Sequence, residues 1–280
     1  MKLYAVRLGL ILAVGCAAAP PARTAAPTVA TGVTPAPLAI GETFHLESKV
    51  LSERRVINVY LPPGYATSTE RYPVLYMPDG GIGEDFPHVA GVIDVSIKNE
   101  VIRPLIVVGI ENTERRRDLV GPTTIEKERT IAPHAGGADR FRTFLRTELK
   151  PHITAHYRVT AESAIVGESF AGLFVIETLL TEPTLFDAYI AVDPSLWWND
   201  QTLVRSAAAR FAAWSAGARK LYVASADDPA MQAGVAMLLA AAGEPKPGAL
   251  TWHHLPLPHE HHNTIYPVAA VQAFRTLFAR

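Results

Sequence analysis

The run Gly-Glu-Ser-Phe-Ala-Gly at residues 167–172 constrains the fold of this chain more than any other segment. It follows the apolar run Ala-Ile-Val at 164–166 and precedes Leu-Phe-Val-Ile at 173–176. A buried strand, a sharp turn of small residues carrying a serine, and a helix form the layout of a nucleophile elbow, which exposes the serine hydroxyl above a sheet. Alanine occupies position 171, where the G-x-S-x-G pattern has its second glycine. An ordinary strand-to-helix turn therefore remains an alternative interpretation.

The predicted elbow belongs to a longer alternation of apolar runs and helical patterns. We predict strands in the apolar runs at 56–61, 72–77, 105–110, 163–166, 188–192, 221–225 and 250–255. We predict helices between and after them, at 86–99, 138–156, 172–181, 201–215, 230–242 and 267–279. This alternation indicates an α/β fold with a mostly parallel central sheet of about eight strands and helices on both faces. Functional residues of such sheets lie at the carboxyl ends of the strands.

Composition is typical of a globular protein and argues against nucleic acid as a partner. The chain has 280 residues, of which 49% are hydrophobic and 19% charged, and its formal net charge is −1. Phosphate binding needs concentrated lysine and arginine, and the sequence has no long basic stretch. We expect residues 42–280 to form one α/β domain.

The first 16 residues have the features of an export signal, with basic residues before a short apolar region that is too short to span a membrane. The run Leu-Ala-Val-Gly-Cys at 12–16 resembles a bacterial lipoprotein signal, so we predict lipidation of Cys16, the only cysteine. Cleavage without lipidation remains the alternative. Residues 17–41 are rich in Ala, Pro and Thr, which is typical of a flexible tether. We therefore expect an exported, periplasmic protein that meets the membrane only through a lipid anchor.

A nucleophilic serine needs a histidine to take its proton. Histidines cluster at His259, His261 and His262, after the last predicted strand and before the final predicted helix. This position completes the chain order serine, acid, histidine of an α/β-hydrolase. The metal-binding pattern H-E-x-x-H would require histidine at position 263, where the chain has Asn263. We therefore predict no metal site and expect one of these histidines to be the base.

Three aspartates are candidates for the acid that orients the histidine. Asp227 and Asp228 follow the predicted strand at 221–225, and Asp193 follows the strand at 188–192. Asp228 precedes Pro229, a pattern typical of a helix N-cap. Because one side chain cannot easily cap a helix and also orient a histidine, Asp227 and Asp228 are predicted to divide these tasks.

When the serine attacks a carbonyl carbon, negative charge develops on the carbonyl oxygen. Backbone N–H donors are needed to stabilise this charge. We predict one from Phe170, the residue after the serine, and a second from Gly81, in the glycine-containing loop after the strand at 72–77. Trp197 and Trp198 follow the strand beside the elbow. They are interpreted either as core aromatics or as walls of a substrate pocket that stack on aromatic groups.

Several separated motifs resemble the esterase family of α/β-hydrolases that includes the enterochelin-type siderophore esterases. The resemblance covers roughly residues 42–280. The motifs that carry it are Tyr-Leu-Pro at 60–62, Tyr-Pro-Val-Leu-Tyr at 72–76, Asp-Gly at 79–80, Pro-Ser-Leu-Trp-Trp-Asn at 194–199, Met-Gln-Ala-Gly at 231–234 and the pattern E-x-H-x-T-I-Y at 260–266. The resemblance implies an α/β-hydrolase fold.

The same resemblance selects among the candidate site residues. The last motif implies that His262 is the base, and alignment on the motif at 231–234 favours Asp228 as the acid, with Asp227 as the alternative. Relatives tend to carry a longer glutamate in place of Asp228 and often a glycine in place of Ala226. Asp193 stands where many relatives have serine, so it remains an outside candidate.

These observations predict a serine esterase that hydrolyses a small-molecule ester through a Ser169–His262–Asp228 triad and an acyl-enzyme, without metal or organic cofactor. The resemblance implies a siderophore ester as the substrate. One alternative is an acyltransferase that uses the same nucleophile. Another is a non-catalytic lipoprotein that binds a ligand on a hydrolase scaffold.

Overall fold

The computed structural model describes residues 36–246 and 248–280. Within this part of the chain, Ala39–Arg280 forms one compact unit. The predicted export signal at 1–16, with Cys16, lies outside the described residues, as does most of the predicted tether at 17–41. Both therefore remain predictions.

The described residues contain an eight-stranded sheet of order β1-β2-β4-β3-β5-β6-β7-β8. The strands are β1 (Glu42–Ser48), β2 (Glu53–Tyr60), β3 (Tyr72–Pro78), β4 (Ile106–Ile110), β5 (Val159–Glu168), β6 (Ala188–Val192), β7 (Arg219–Ser225) and β8 (Leu250–Pro256). β1 and β2 pair antiparallel with each other, and β2 pairs antiparallel with β4, whereas β3 to β8 are joined by parallel pairings. The predicted mostly parallel α/β sheet is confirmed.

The helices lie between and after the strands. They are α1 (Phe86–Lys98), α2 (Arg115–Asp118), α3 (Glu126–Ile131), α4 (Ala138–Phe144), α5 (Lys150–His156), α6 (Phe170–Thr181), α7 (Thr202–Arg205), α8 (Ala207–Ala212), α9 (Pro229–Ala242) and α10 (Ile265–Leu277). A π-helical turn at Leu145–Leu149 joins α4 to α5, so the predicted helix at 138–156 is present but irregular. The predicted helix at 201–215 divides into α7 and α8. None of the helices in the described ranges is long and apolar enough to cross a bilayer.

Two hydrophobic layers cover the sheet, one on each face. One layer contains the buried residues of α1 and α10, such as Ile93 and Phe274, and the other contains those of α4 and α6, such as Phe141 and Phe174. Every residue of β3, β4 and β6 is buried, as expected of strands covered on both faces. The rigid core brings the carboxyl ends of β3 to β8 to one edge, where the polar residues described below lie.

The edge strand β1 does not follow the continuous apolar pattern of the central strands. Its sequence alternates polar residues with Phe44 and Leu46, and most of its residues are exposed or half-buried. It pairs with β2 from Glu42 opposite Val59 to Ser48 opposite Glu53. The sequence analysis did not predict β1, because this strand is half-buried and its run of apolar residues is interrupted.

Candidate active site

Ser169 occupies a strained turn between β5 and α6. Its φ is 61° and its ψ is −119°, a conformation that costs a residue with a side chain about 1–3 kcal/mol. A Cβ atom on Gly167 would lie 2.6 Å from Ala171 Cβ, so glycine is required before the serine. Ala171 fits because its methyl group packs into the space that Gly167 leaves open. The predicted strand–serine–helix geometry is therefore present, with alanine in place of the second glycine.

The loop between β8 and α10 brings His262 to the serine. His262 Nε2 lies 3.0 Å from Ser169 Oγ, which is hydrogen-bond distance. The imidazole side chain is 38% exposed and the serine is half-buried. A base at this distance can accept the hydroxyl proton when the oxygen attacks an electrophile.

The carboxylate that contacts the histidine belongs to Asp193, at the end of β6. Asp193 Oδ2 lies 2.6 Å from His262 Nδ1, and Asp193 Oδ1 accepts a hydrogen bond from the Ala226 amide at 2.9 Å. The Asp193 side chain is fully buried. Both oxygens of Asp193 thus have a hydrogen-bond partner. The bond to Nδ1 orients the imidazole ring so that Nε2 faces Ser169. The geometry is that of a serine–histidine–aspartate triad.

The assignment of Asp228 as the acid is wrong in this structure, and so is the alternative, Asp227. Asp228 caps α9: its Oδ1 accepts hydrogen bonds from the Ala230 amide at 2.8 Å and the Met231 amide at 3.1 Å. Asp227 Oδ2 instead lies 2.7 Å from His261 Nδ1. Both carboxylates are committed elsewhere, as the Asp-Pro cap pattern indicated for Asp228.

Hydrogen bonding and charge favour the protonated form of the histidine. The hydrogen bond that His262 donates to Asp193 raises the pKa of His262, burial lowers it, and the nearby Glu168 raises it again. Glu168 Oε1 lies 3.7 Å from His262 Nε2, and its side chain is only 17% exposed. Burial raises the pKa of Glu168 to about 7. The sequence analysis did not identify Glu168 as a site residue, although it lies next to Ser169 in the elbow motif.

The two predicted oxyanion donors differ in their surroundings. The Phe170 amide stands at the first residue of α6, a helix of 12 residues, where a helix terminus favours negative charge. The Gly81 amide donates a hydrogen bond to Glu84 Oε2 at 2.7 Å. The structure therefore contradicts Gly81 as an available donor, because its amide is already bonded to the Glu84 carboxylate of the same loop.

A second hydroxyl lies beside the nucleophile. Ser195 Oγ is 3.4 Å from Ser169 Oγ, and the Ser195 amide donates a hydrogen bond to the Ser169 carbonyl at 3.0 Å. Ser195 is buried. It belongs to the Pro-Ser-Leu-Trp-Trp-Asn motif that the sequence analysis singled out, but its contact with the elbow was not predicted. This contact ties the loop after β6, which carries Asp193, to the turn that carries Ser169.

The two tryptophans separate into one pocket residue and one core residue. Trp198 is only 4% exposed, and its Nε1 donates a hydrogen bond to the Gly121 carbonyl at 3.0 Å. Trp197 is half-buried, and its ring centroid lies 5.8 Å from that of Phe170. Trp197 lines a cavity of about 410 Å³ together with Ile125, Ile131 and Met231. The pocket assignment is thus wrong for Trp198, which packs in the core.

A separate cleft of about 370 Å³ opens directly at the serine and histidine. Its lining includes Asp79 and Arg115, which form a two-pronged ion pair with Arg115 Nε at 2.7 Å from Oδ1 and Nη2 at 2.8 Å from Oδ2. Asn112 Nδ2 donates a hydrogen bond to the same Asp79 Oδ1 at 2.6 Å. Arg115 is therefore neutralised by Asp79 and is not a free anion-binding group. Nowhere in the described ranges are three or more His, Cys, Asp or Glu side chains grouped so as to hold a metal ion.

The sequence of this chain is similar to those of known esterases. The family model described as Putative esterase matches residues 48–275. The chain is 30% identical over 175 residues to the ferri-bacillibactin esterase of Bacillus subtilis, covering 55% of this chain and 58% of the relative. It is 31% identical over 193 residues to the siderophore triacetylfusarinine C esterase of Aspergillus fumigatus, covering 63% of each. The matches thus span less than two thirds of the length of these curated relatives.

Solved structures agree with the fold. An IroE-like serine hydrolase from Shewanella oneidensis superposes with a TM-score of 0.76 at 30% identity, covering 85% of this chain and 80% of that one. The BES protein from Bacillus cereus superposes with a TM-score of 0.77 at 20% identity, covering 89% of this chain and 99% of that one. The second similarity, at its lower identity, shows the shared fold alone.

Proposed function

Because this chain belongs to the Putative esterase family, we propose that it hydrolyses carboxylic esters with Ser169 as the nucleophile. The observation that carries the proposal is the continuous contact from Asp193 through His262 to Ser169, with distances of 2.6 Å and 3.0 Å. These three side chains have the chemistry and order of an acyl-transfer triad. The reaction needs no metal or organic cofactor for proton transfer or nucleophilic attack.

In the first half of the proposed reaction, His262 Nε2 takes the Ser169 hydroxyl proton as Oγ attacks the ester carbonyl carbon. The carbonyl π electrons move to the oxygen, and the Phe170 amide donates a hydrogen bond to that oxygen. The C–O bond to the alcohol then breaks, and the alcohol oxygen takes the proton from His262. An acyl-Ser169 ester remains.

In the second half, a water molecule gives its proton to His262 Nε2 and attacks the acyl carbon. The bond between this carbon and Ser169 Oγ breaks, Oγ recovers the proton from His262, and the carboxylic acid leaves. Asp193 stabilises the imidazolium in both halves, since its carboxylate lies against Nδ1. Gly81 has no part in this mechanism, because the Glu84 carboxylate on its amide would repel a developing oxyanion.

Two cavities near the nucleophile turn suit the two parts of an ester, and only the cleft has Ser169 in its lining. The cavity beside Trp197 is lined by apolar Ile125, Ile131 and Met231 and by charged Lys127, Glu128 and Asp228. We assign the acyl group to this cavity because the Trp197 ring lies against Phe170, the residue after the nucleophile. The cleft lined by His262 suits the alcohol, which must receive its proton from that residue.

The relatives' activities favour a siderophore ester as the natural substrate. We also propose that the chain is exported and anchored through Cys16.

Labelling with a fluorophosphonate probe tests the proposed nucleophile. We expect one covalent adduct on Ser169, and we expect His262→Ala to slow its formation strongly because the hydroxyl then lacks its base. Trypsin would leave Ser169 and Ser195 on one peptide, residues 159–205, so fragment ions must locate the adduct. Ser195→Ala is the matched control, since Ser195 Oγ lies 3.4 Å away without contacting the histidine.

Each labelling outcome decides between two hypotheses. An adduct on Ser169 that persists in Ser195→Ala supports the esterase. A folded wild-type protein that takes no label on Ser169 would overturn the proposed function and favour a binding protein on a hydrolase scaffold.

Replacement of Glu168 by glutamine should extend activity to lower pH. The hydrogen bond that His262 donates to Asp193 and the charge of Glu168 both raise the pKa of His262, and hydrolysis requires this histidine in its neutral form. Removing the Glu168 charge destabilises the imidazolium, so the pKa of His262 falls. The acid limb of the kcat/KM profile then moves to lower pH. The measurement is kcat/KM from pH 5 to 9 for the wild type and Glu168→Gln.

Glu47→Gln is the control for the change in net charge, because Glu47 is an exposed residue of edge strand β1. Its profile should match that of the wild type. An acid limb that stays in place or moves to higher pH in Glu168→Gln would contradict the assigned influence of Glu168 on His262.

A further inference from the structure

The cleft at the serine carries more negative than positive charge. Four carboxyls line it, together with a single guanidinium and the imidazole of His262. Asp79 is neutralised by Arg115, and Glu84 accepts hydrogen bonds from the Gly81 amide and the Asn112 side chain. The other two, Asp85 and Glu168, have no hydrogen-bonded partner among the described residues; Asp85 lies 3.7 Å from His88 and Glu168 lies 3.7 Å from His262. Arg115 forms no ion pair with either carboxyl, but its charge lowers the pKa of both. The two carboxyls thus face the cleft with only a partial counter-charge, from a guanidinium that already pairs with Asp79.

Burial makes these two carboxyls costly to ionise. It raises the pKa of Asp85 to about 6, with a further contribution from Asp79, and raises the pKa of Glu168 to about 7. At pH 8, above both of these pKa values, the ionised forms are favoured. A cation in the cleft would lower their free energy, because the attraction between opposite charges is strong where water is partly excluded.

A buried hydroxyl without a partner lies close to the same carboxyls. Tyr266, in the first turn of α10, is only 6% exposed, and its hydroxyl has no hydrogen-bond partner among the described residues. Burial raises the pKa of Tyr266, and the charges of Asp85, Asp79 and Glu168 raise it further. Buried hydroxyls are normally hydrogen-bonded. Tyr266 is not among the residues that line the cleft, so its hydroxyl is a buried neighbour of these carboxyls and not a contact for a bound group.

We propose that the cleft selects esters whose alcohol part carries a positive charge, with Asp85 and Glu168 as the specificity-determining residues. The inference rests on the proposed function. The alcohol is the relevant part of the substrate because His262, which must protonate it, lies 3.7 Å from Glu168. Esters with a protonated amine or quaternary ammonium on that side are favoured, and those with anionic groups there are disfavoured.

Two esters of the same shape test the proposal. Choline butyrate and 3,3-dimethylbutyl butyrate differ in that a quaternary nitrogen replaces a quaternary carbon, so they differ by one positive charge. At pH 8 and low salt we expect kcat/KM to be about tenfold higher for the choline ester. The ratio should fall as sodium chloride rises, because salt screens charges near the surface. It should also fall several-fold in Asp85→Asn and Glu168→Gln, and Glu47→Gln should leave it unchanged.

The outcomes separate this inference from the function on which it rests. If Ser169-dependent hydrolysis of the neutral ester is observed but the ratio is near one in the wild type, the esterase stands and the charge selection is wrong. A ratio that is high but insensitive to both substitutions and to salt would also overturn it. If neither ester is hydrolysed by folded protein, the proposed function itself fails for such esters. The salt series needs no variant, so poor folding of Asp85→Asn would not prevent a decision.

Discussion

Replacement of Ser169 by alanine should lower kcat for ester hydrolysis by about 10⁴–10⁶-fold. The loss is large because the acyl-enzyme cannot form, and the remaining groups can only polarise the ester and orient water. His262 would keep its contact with Asp193, which does not pass through the serine. The measurement is initial rate on a 4-nitrophenyl ester, with the spontaneous rate subtracted.

Ser195→Ala is the control for this experiment, because it removes a neighbouring hydroxyl 3.4 Å from Ser169 Oγ. We expect its effect on kcat to be far smaller. If Ser169→Ala and Ser195→Ala lowered kcat to the same extent, or if Ser169→Ala retained wild-type activity, the nucleophile assignment would be wrong.

Replacement of Asp193 by asparagine should lower kcat by about 10³–10⁴-fold. The asparagine side chain has nearly the same shape, but it carries no charge to stabilise the imidazolium and its amide favours the wrong histidine tautomer. Asp193 Oδ2 lies 2.6 Å from His262 Nδ1, so both effects act directly on the base. The measurement is the kcat of the variant compared with the wild type at pH 8.

Asp228→Ala is the matched comparison, because it removes the carboxylate first expected to orient the histidine. Since Asp228 caps α9, we expect the free energy of unfolding to fall by about 1 kcal/mol. Because Asp228 lines the acyl cavity but does not contact His262, kcat should fall far less than in Asp193→Asn. A collapse of kcat in Asp228→Ala, with near-normal kcat in Asp193→Asn, would reverse the assignment of the acid.

The elbow and the base could be predicted from sequence because their signals are local. Gly167 and Ser169 belong to one short turn whose geometry depends on residues a few positions apart, and the motif around His262 is equally short. The parallel strands followed from continuous apolar runs for the same reason. Features that depend on neighbours along the chain were recovered from the chain alone.

The acid could not be predicted in the same way because its contact with His262 depends on the three-dimensional course of the segment between β8 and α10. Asp193 and Asp228 both follow strands that precede the histidine, so chain order admits either. Which aspartate contacts the histidine depends on whether the segment after β8 lies over the end of β6 or the end of β7. No local sequence pattern specifies this. The cap pattern Asp228-Pro229 was the one local signal against Asp228.

The donor and pocket assignments failed for a related reason. Gly81 has the small size that a close approach requires, but Glu84, three residues further along the same loop, accepts the hydrogen bond from its amide. Trp197 and Trp198 are adjacent in sequence, and only one reaches a cavity. Side-chain direction in irregular loops is decided by tertiary packing, which composition and spacing do not encode.

The position of the base at the edge of the sheet has a consequence for how the protein loses activity. Ser169 and Asp193 follow the inner strands β5 and β6, whereas His262 follows β8, which pairs with β7 alone. Segments with few neighbours open at a smaller free energy than the core. A transient detachment of β8 would remove the base while the centre of the sheet stays folded. We therefore expect substitutions that strengthen the β7–β8 pairing to raise the temperature at which catalysis is lost, without a change in the core.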